Sequence, residues 1–268
     1  MSLPELVREF CYAALQLESA RRMPWGGVTT DARFPLVWDA NNATVLEPSP
    51  GLTLHEIQGS LDPALRAAGA PYEHIEFWDT SVDTTALRDL RAVNEFPAHD
   101  DVMVFEAAWP AADDTRVKEL LLPDEDFWRW YRSTLLEFGQ ELYQEVLGQM
   151  VRRIRDVFVP AGLRFFAAAL EGELAGYTSA ISLAGVGYLD NVVTMPAYRG
   201  RGVASATVAR AVRESLEAGD RCVFLLAERG GKPQELYERL GFRARGEVES
   251  FTRLLPPVAP LGRPAGDL

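Results

Sequence analysis

The chain has few residues of the kinds that build disulfides or metal sites. It contains two cysteines, Cys11 and Cys222, and three histidines, His55, His74 and His99, in 268 residues. The cysteines lie far apart in unlike contexts, so we expect two buried, reduced thiols and no disulfide. The histidines are scattered without metal-ligand spacing. We therefore predict no metal site.

Long apolar runs and an excess of basic residues are also missing. No apolar run is long enough to cross a membrane, and the first ten residues resemble a charged helix more than a secretory signal, so we predict a cytoplasmic protein without a membrane partner. A formal net charge of -12 excludes the basic face that nucleic-acid binding needs. The acidic surplus is compatible with a cationic amine substrate drawn to an acidic cleft, although solubility is the commoner reason for it.

What the sequence does contain is a strand, a basic glycine loop and a helix start within residues 188–205. A helix N-terminus offers unpaired backbone N–H groups and a positive dipole end, so it can hold a pyrophosphate. Glycines in the loop let the backbone approach phosphate oxygens closely. The residues of this predicted cradle are Arg199, Gly200, Arg201, Gly202, Val203, Ala204 and Ser205.

The loop carries a family resemblance. The pattern Arg199-x-x-Gly202-x-Ala204 after an apolar strand resembles the acetyl-CoA pyrophosphate loop of the GNAT superfamily of N-acetyltransferases. Other phosphate loops fit poorly, because a Walker A loop ends in Gly-Lys-Ser/Thr and a dinucleotide fingerprint needs three glycines after the first strand. An ordinary strand-to-helix turn with solvated arginines is the remaining alternative.

A second block strengthens the resemblance. Residues 221–228 form the pattern of a buried strand, and the segment from Leu236 to Phe242 resembles the superfamily's LYxxxGF helix and the turn after it. The family's fold is an α/β fold with a mixed sheet, in which two helices precede a meander and further strand–helix units. We expect this fold in the C-terminal half.

Hydrophobic periodicity and turn residues predict the individual elements of that half. A first strand is predicted at 115–122, and helices are predicted between 124 and 156 with a break at Gly139. The remaining predictions are strands at 163–170, 173–182 and 187–194, a helix at 203–216, a strand at 221–227, a helix around Tyr237 and a strand at 242–254. The three middle strands should form an antiparallel meander.

The N-terminal half has no glycine-loop motif, but its end echoes the C-terminal half. A strand, a helix and a strand are predicted at 72–78, 85–96 and 101–107, and Asn94-Glu-Phe96 stands where Leu240-Gly-Phe242 stands in the second copy. This weak repeat predicts a tandem protein with a degenerate GNAT-like domain at 1–110, an active domain at 113–256 and a disordered, proline-rich tail at 257–268. An unrelated α/β extension is the alternative.

The resemblance also implies roles for individual residues. In the family, a bulge turns the strand before the loop away from the next strand and exposes main-chain groups to the pantetheine arm of the cofactor. By position, Val192, Val193 and Thr194 would make those contacts, and the N–H of Val193 would stabilise the oxyanion. Tyr237 matches the tyrosine that protonates the leaving thiolate, with a plain packing role as its alternative.

The general base is left between two carboxylates. Asp190 shares strand parity with Val192 and Thr194, which would place it on their face of the sheet, and Glu228 ends the next strand. Either could take a proton through water, and either could be an ordinary strand-end charge. Many family members have an asparagine seven residues before the tyrosine, but Gly230 stands there in this chain, which puts that one contact in doubt.

The function implied by the resemblance is acetyl-CoA-dependent N-acetylation of a primary amine of a small molecule. The alternatives are a non-catalytic acyl-CoA-binding module and the transfer of a longer acyl group. The acceptor pocket is expected between the helices of 124–156, the loop at 184–187 and the N-terminal half. A monomer or a homodimer is compatible with the sequence.

Overall fold

A single twisted sheet runs through the whole molecule. The computed structural model describes residues 4–94, 97–108, 114–120, 124–136 and 144–256. Within these ranges the strand order is β1-β2-β3-β4-β11-β5-β10-β9-β8-β7-β6. The strands are β1 Ala20–Met23, β2 Gly26–Thr29, β3 Asn42–Val45, β4 Tyr72–Phe77, β5 Ala98–Phe105, β6 Val117–Leu120, β7 Arg164–Leu170, β8 Glu173–Leu183, β9 Val186–Thr194, β10 Cys222–Glu228 and β11 Phe242–Leu254.

Helices cover both faces of this sheet. They are α1 Glu5–Ala14, α2 Leu54–Ala68, α3 Thr85–Val93, α4 Glu125–Leu135, α5 Gln144–Arg153, α6 Val203–Glu217 and α7 Lys232–Arg239. Asp124 caps α4, since its carboxylate accepts a hydrogen bond from the N–H of Phe127 at 2.8 Å. A π-helical turn, Ile154–Phe158, extends α5 toward β7.

The elements predicted for the C-terminal half are confirmed. Strands β6 to β9 form the antiparallel meander, and the helix after the glycine loop and the last two strands occupy the predicted segments. Gly139, the predicted break, lies outside the described residues, as does the tail at 257–268. Both cysteines are free, as predicted, although Cys222 is only half-buried.

The middle of the sheet interleaves strands from the two halves. β5 lies between β10 and β11 and is antiparallel to both, while β11 lies between β5 and β4. The last strand of the N-terminal half, β5, thus lies within the sheet of the C-terminal half. The last strand of the C-terminal half, β11, in turn lies beside β4 within the sheet of the N-terminal half. The hydrogen bonds of the sheet cross the predicted boundary near residue 110, and the domain limits themselves stay a prediction.

The two halves repeat one arrangement. β3 is parallel to β4 with α2 between them in sequence, as β9 is parallel to β10 with α6 between them. The unit β4-α3-β5 then corresponds to β10-α7-β11. The predicted repeat is therefore present in the topology, and α3 ends at Val93, slightly before the predicted end.

The buried side chains fall into separate cores on the two faces of the sheet. One core lies under α1, α4 and α5, a second under α6 and α7, and a third under α2 and α3. Phe127, Trp128 and Tyr131 of α4 belong to the first core and are nearly inaccessible to solvent. They therefore pack the core, and none of them lines a cavity described below.

Candidate active site

The parallel strands β9 and β10 separate before either of them ends. Their pairing runs from Val186 with Cys222 to Leu189 with Leu225, whereas β9 continues to Thr194 and β10 to Glu228. Main-chain groups of β9 beyond Leu189 therefore have no strand beside them on this edge. This opening between the strand ends is called the strand gap below.

A β-bulge in β9 produces the divergence. Asn191 and Val192 together stand opposite the single residue Thr178 of β8, and Asn191 has a left-handed backbone with φ of +48°. A bulge of this kind bends its strand and increases the local twist. The bulge expected from the family resemblance is thus present.

The same bulge corrects one prediction. Asp190 does not share a face with Val192 and Thr194, because the extra residue reverses the alternation of side chains along the strand. Asp190 faces the α1 and α5 side together with Tyr188, whereas Val192 packs into the core under α6. The side chain of Asp190 therefore lies on the opposite face of the sheet from that of Val192 and shares its face with Val193.

The glycine loop leads into α6 as predicted. Gly200 and Gly202 have φ of +76° and +77°, a conformation that L side chains rarely adopt, and Gly202 is the N-cap of α6. No side chain caps this helix, and its first internal hydrogen bond runs from the N–H of Ala206 to the carbonyl oxygen of Gly202 at 3.0 Å. The N–H groups of the first turn, Val203, Ala204 and Ser205, are left without helical acceptors.

These residues line one cleft of about 790 Å³ on the α6 side of the strand gap. Lys232 and Arg239 add positive charge to it beside Arg199. The full lining is Val192, Val193, Thr194, Arg199, Gly200, Gly202, Val203, Ala204, Ser205, Lys232, Pro233, Leu236, Tyr237 and Arg239. Every predicted cofactor residue except Arg201 is among them.

Arg201 points elsewhere, and Thr194 has an unused polar atom. The guanidinium of Arg201 donates a hydrogen bond to the carboxylate of Glu171 at 2.8 Å. The hydroxyl oxygen of Thr194 is buried and has no hydrogen-bond partner among the described residues. Because buried polar atoms normally have a partner, this hydroxyl fits a site that a polar ligand completes.

Tyr237 lies at the inner end of the same cleft. Its side chain is 6% exposed, and its ring packs against Phe242 at a centroid distance of 6.1 Å. Burial raises the pKa of its hydroxyl to about 12, and the negative charge of Asp190 adds to the shift. The phenol is therefore fully protonated near neutral pH and can act as a proton donor.

Asp190 lines a second cavity, of about 300 Å³, on the opposite face of the strand gap. Burial raises the pKa of its carboxyl to about 6, and the charge of Asp39 also raises it. A hydrogen bond from the backbone of Asn191 and the charge of Arg153 act the other way. A carboxylate with this pKa is ionised at neutral pH and is more basic than an exposed aspartate.

Glu228, the second candidate for the general base, lies outside both cavities. It is exposed at the end of β10, where it stands opposite Asp100 of β5, and it is not part of the lining of either cavity. Tyr237 and Asp190 thus line the two cavities on either side of the strand gap, and Glu228 lines neither.

Sequence reasoning expected the N-terminal half beside the acceptor pocket but did not identify which of its residues line the second cavity. Glu18, Asp39 and Glu76 all line it beside Arg153 and Asp190. One signal was available: Glu76 and Trp78, which line the cavity, alternate with the core residues Ile75 and Phe77 of β4.

Asp39, His74 and Glu76 have side-chain atoms within 4.8 Å of one another, a spacing at which a metal ion is conceivable. The imidazole is already engaged, however. Its Nδ1 lies 2.6 Å from the hydroxyl of Thr252, and its Nε2 lies 3.2 Å from a carboxylate oxygen of Glu76. Hydrogen bonding to Glu76 and the nearby carboxylates raise the pKa of His74 against the effect of burial. Both ring nitrogens of His74 thus already have hydrogen-bond partners within the protein.

Comparison with known proteins identifies the C-terminal half. Residues 124–242 match the model of the acetyltransferase (GNAT) family. This segment is a GNAT-family domain. The match includes the bulged strand, the glycine loop and Tyr237, and enzymes of this family use acetyl-CoA. No relative was found among curated proteins.

Solved structures share the fold over most of the chain. A GCN5-related N-acetyltransferase from Kribbella flavida superposes with a TM-score of 0.62 at 15% identity, covering 91% of this chain and 93% of that one. A functionally unknown conserved protein from Staphylococcus epidermidis reaches 0.68 at 11% identity over 89% and 95%. A tandem GNAT protein from the clavulanic acid biosynthesis pathway reaches 0.53 at 16% identity over 76% and 70%.

Among the described residues, none of the helices combines the length and the apolar character that crossing a bilayer requires.

Proposed function

We propose that this protein is an acetyl-CoA-dependent N-acetyltransferase whose acceptor is a primary amine of a small molecule. The observation that carries this proposal is the strand gap, which has a phosphate-binding helix start and Tyr237 on one side and Asp190 in a separate cavity on the other. Two substrates that enter from opposite faces of the sheet would meet at this gap.

The cofactor cleft fits acetyl-CoA by its chemistry. The open first turn of α6 and the side chain of Arg199 would hold the pyrophosphate, and Lys232 and Arg239 would add positive charge beside it. Main-chain groups of residues 192–194, with the unpartnered hydroxyl of Thr194, would hold the pantetheine amides. The thioester would then lie at the strand gap beside Tyr237.

The residues divide the chemistry of acetyl transfer between them. An acceptor ammonium must lose a proton before its nitrogen can attack the thioester carbonyl carbon, and Asp190 would take that proton through water. The N–H of Val193 would stabilise the oxyanion as the tetrahedral centre forms. When the carbon–sulfur bond breaks, Tyr237 would protonate the thiolate and recover a proton from the nitrogen, so that one proton is released overall.

We further propose that the N-terminal half is a GNAT-like unit without a cofactor site, which supplies one wall of the acceptor cavity. Its topology repeats that of the C-terminal half, and the acceptor cavity is lined by residues of both. The free cysteines support a location in a reducing compartment such as the cytoplasm.

Calorimetric titration with acetyl-CoA tests this proposal directly. We expect micromolar binding, and we expect Gly202→Glu to abolish it by placing bulk and negative charge at the pyrophosphate site. Gly69→Glu is the matched control, because Gly69 has a similar φ of +70° at the end of α2 and lies outside the cofactor cleft. Tight binding by the Gly202 variant would refute the loop assignment.

A panel of amines then separates the enzyme from its alternatives. Release of free thiol that depends on an added amine establishes acetyl transfer. Binding of acetyl-CoA without transfer to any amine would indicate a non-catalytic acyl-CoA-binding module instead. Preference for a longer acyl-CoA would indicate a different acyl transfer.

A further inference from the structure

A buried carboxylate of the N-terminal half is bound to the helix that carries Tyr237. Asp101 lies on β5, and its side chain is buried. One of its carboxylate oxygens accepts hydrogen bonds from the Nε and Nη2 of Arg229, at 3.0 and 2.7 Å. The other oxygen accepts one from the side-chain amide of Gln234 at 2.9 Å. Both partners belong to the segment that leads from the end of β10 into the first turn of α7, and these contacts are called the Asp101 tie below.

The amide of Gln234 extends the tie to the loop before α7. Its oxygen accepts a hydrogen bond from the backbone N–H of Gly230 at 2.8 Å, while its nitrogen donates to Asp101. Only one orientation of the amide satisfies both contacts, because an ionised carboxylate only accepts and a backbone N–H only donates. The tie therefore fixes the loop and the first turn of the helix together.

Helix α7 has few other contacts that hold it in place. It has eight residues, and among them, all of which the structure describes, Tyr237 alone is buried. Isolated helices shorter than about 12–15 residues are marginal in water. The N-cap, Gly231, has no side chain to cap the helix, and Gly230 before it has a φ of +72°. The position of α7 thus depends on contacts that fix its start.

The tie lies on the side of α7 that also carries the phenol. Gln234 and Tyr237 are three positions apart, a spacing that places two side chains on the same side of a helix. Tyr237 lines the cofactor cleft, whereas Asp101 lines neither of the two cavities beside the strand gap. Any influence of Asp101 on the reaction therefore has to pass through α7.

The other half of the molecule has a corresponding contact. Glu249 lies on β11, is buried, and accepts hydrogen bonds from Arg91 of α3, one of them at 2.9 Å. β11 pairs with β4 as β5 pairs with β10, and α3 corresponds to α7 in the repeated topology. The last strand of each half thus holds the last helix of the other half through a buried carboxylate.

We propose that Asp101 is a positioning residue for the proton donor Tyr237. By fixing the start of α7 through Gln234 and Arg229, it holds the phenol in the cofactor cleft. The N-terminal half thereby sets the geometry of a donor that belongs to the C-terminal half. This inference rests on the proposed acetyltransferase function.

The first test examines α7 in the full chain without any substrate. We expect Asp101→Asn to speed the backbone hydrogen exchange of residues 229–240 by ~10-fold or more, because the helix start opens locally. In protein labelled with fluorotyrosine, the fluorine resonance that is absent from Tyr237→Phe should shift in the same variant. Glu249→Gln, which breaks the corresponding buried pair at α3, is the matched control and should change neither signal.

The second test measures turnover with an amine that the wild-type protein acetylates. We expect Asp101→Asn to lower kcat by ~10-fold and to change the Kd for CoA by less than about threefold, because the glycine loop is untouched. Gln234→Ala, which keeps the pair of Asp101 with Arg229, should lower kcat to a similar extent. In the Tyr237→Phe background neither change should lower kcat further, since the group on which the tie acts is gone. Glu249→Gln should leave kcat unchanged.

A pair of substitutions tests the hydrogen bond itself. Asp101→Asn combined with Gln234→Glu exchanges donor and acceptor and keeps the summed charge of the two side chains. The new carboxylate can still accept from the N–H of Gly230. We expect the pair to restore most of the kcat lost in Asp101→Asn, whereas Gln234→Glu alone places two carboxylates in contact and should lower kcat.

The outcomes separate positioning from a general structural role. Unchanged exchange and an unchanged fluorine resonance in Asp101→Asn would overturn the proposal, as would an equal loss of kcat in the wild-type and Tyr237→Phe backgrounds. If Asp101→Asn does not fold, Gln234→Ala gives the same decision, because it leaves the buried ion pair in place. If the wild-type protein acetylates no amine, the proposed function fails, and the exchange and fluorine results still decide whether Asp101 positions Tyr237.

Discussion

The two halves of the molecule share a topology and differ at the start of the corresponding helix. In the C-terminal half, α6 begins at Gly202 and no side chain covers its first N–H groups. In the N-terminal half, α2 begins at Thr53 with a capping box, in which the N–H of Glu56 donates to the Thr53 hydroxyl and the N–H of Thr53 donates to the Glu56 carboxylate. The position that could receive a phosphate is thus occupied by the chain's own carboxylate.

The strands that precede these two helices also differ in how much of their backbone is paired with the neighbouring strand. β9 outruns its pairing with β10 by five residues, from Asp190 to Thr194. β3 ends at Val45, which still pairs with Phe77 of β4, and the N–H of Trp78 donates to the carbonyl oxygen of Val45. One half leaves backbone groups open, where the proposed function places the cofactor, whereas the other satisfies them internally and would serve as a scaffold. The following predictions test this contrast.

The largest effect should come from giving α6 the carboxylate that α2 has. Ser205 occupies the same place after Gly202 as Glu56 does after Thr53. We expect Ser205→Glu to weaken acetyl-CoA binding by ~100-fold or more, because the new carboxylate repels the pyrophosphate and competes for its N–H donors. Calorimetry measures this, with Ser205→Gln as the uncharged control. Equal losses in both variants would assign the effect to size and not to charge.

The next effect concerns Tyr237, whose counterpart in the N-terminal half is Arg91. Each residue stands three positions before the corresponding segment, Leu240-Gly-Phe242 or Asn94-Glu-Phe96. Arg91 has no phenol to donate a proton and forms an ion pair with Glu249. Removal of the Tyr237 hydroxyl takes away a proton donor and no phosphate contact. Tyr237→Phe should lower kcat by ~100-fold while the Kd for CoA changes by less than about twofold. Tyr72→Phe, a hydroxyl removed from β4, is the control. A parallel loss of CoA affinity would contradict the donor role.

Asp190 should show opposite effects on activity and stability. Asp190→Asn should lower kcat/KM by ~10–100-fold and remove an inflection near pH 6 from its pH profile. Because the folded-state pKa lies above the ordinary value, the ionised carboxylate destabilises the folded state at neutral pH, and stability rises as the pH falls through about 6. We therefore expect the substitution to stabilise the protein by about 1–3 kcal/mol at pH 7 in urea unfolding. Loss of stability would show that Asp190 is a structural residue.

The smallest effect should come from opening the helix of the scaffold half. Thr53→Ala removes the N-cap of α2 and should destabilise the protein by ~1 kcal/mol. It should create no second site for acetyl-CoA, because β3 and β4 stay paired in front of the helix. The stoichiometry of the calorimetric titration checks this, and a second equivalent of bound cofactor would refute the role assigned to the strand gap.

Much of the C-terminal half could be predicted from sequence because its signals are local and strong. The apolar run at 221–227 and the glycine loop define β10 and the start of α6 within about one residue. The first three strands of the sheet escaped prediction. Each has four residues, and β2 begins with two glycines, so neighbouring strands and not their own periodicity hold them in place.

The sequence allowed most residues of the candidate site to be predicted, but not the face of the sheet on which each side chain lies. The motifs located Tyr237 and the glycine-loop cradle. The sequence around Asn191, however, does not indicate the β-bulge that places Asp190 on the other face of the sheet. Likewise, Asp39 and Glu76 line the second cavity only through pairing between strands distant in sequence. The pairing of strands that are distant in sequence cannot be predicted from the residues of either strand alone.

The interleaving of β5 with β10 and β11 has a consequence for biosynthesis. β5 ends at Phe105, and its two sheet neighbours begin at Cys222 and Phe242. On the ribosome, which adds roughly 5–20 residues per second, β5 therefore waits several seconds or more with both edges unpaired. The N-terminal half cannot complete its fold before the last strand of the C-terminal half has left the exit tunnel, so this chain must mature as one cooperative unit and not domain by domain.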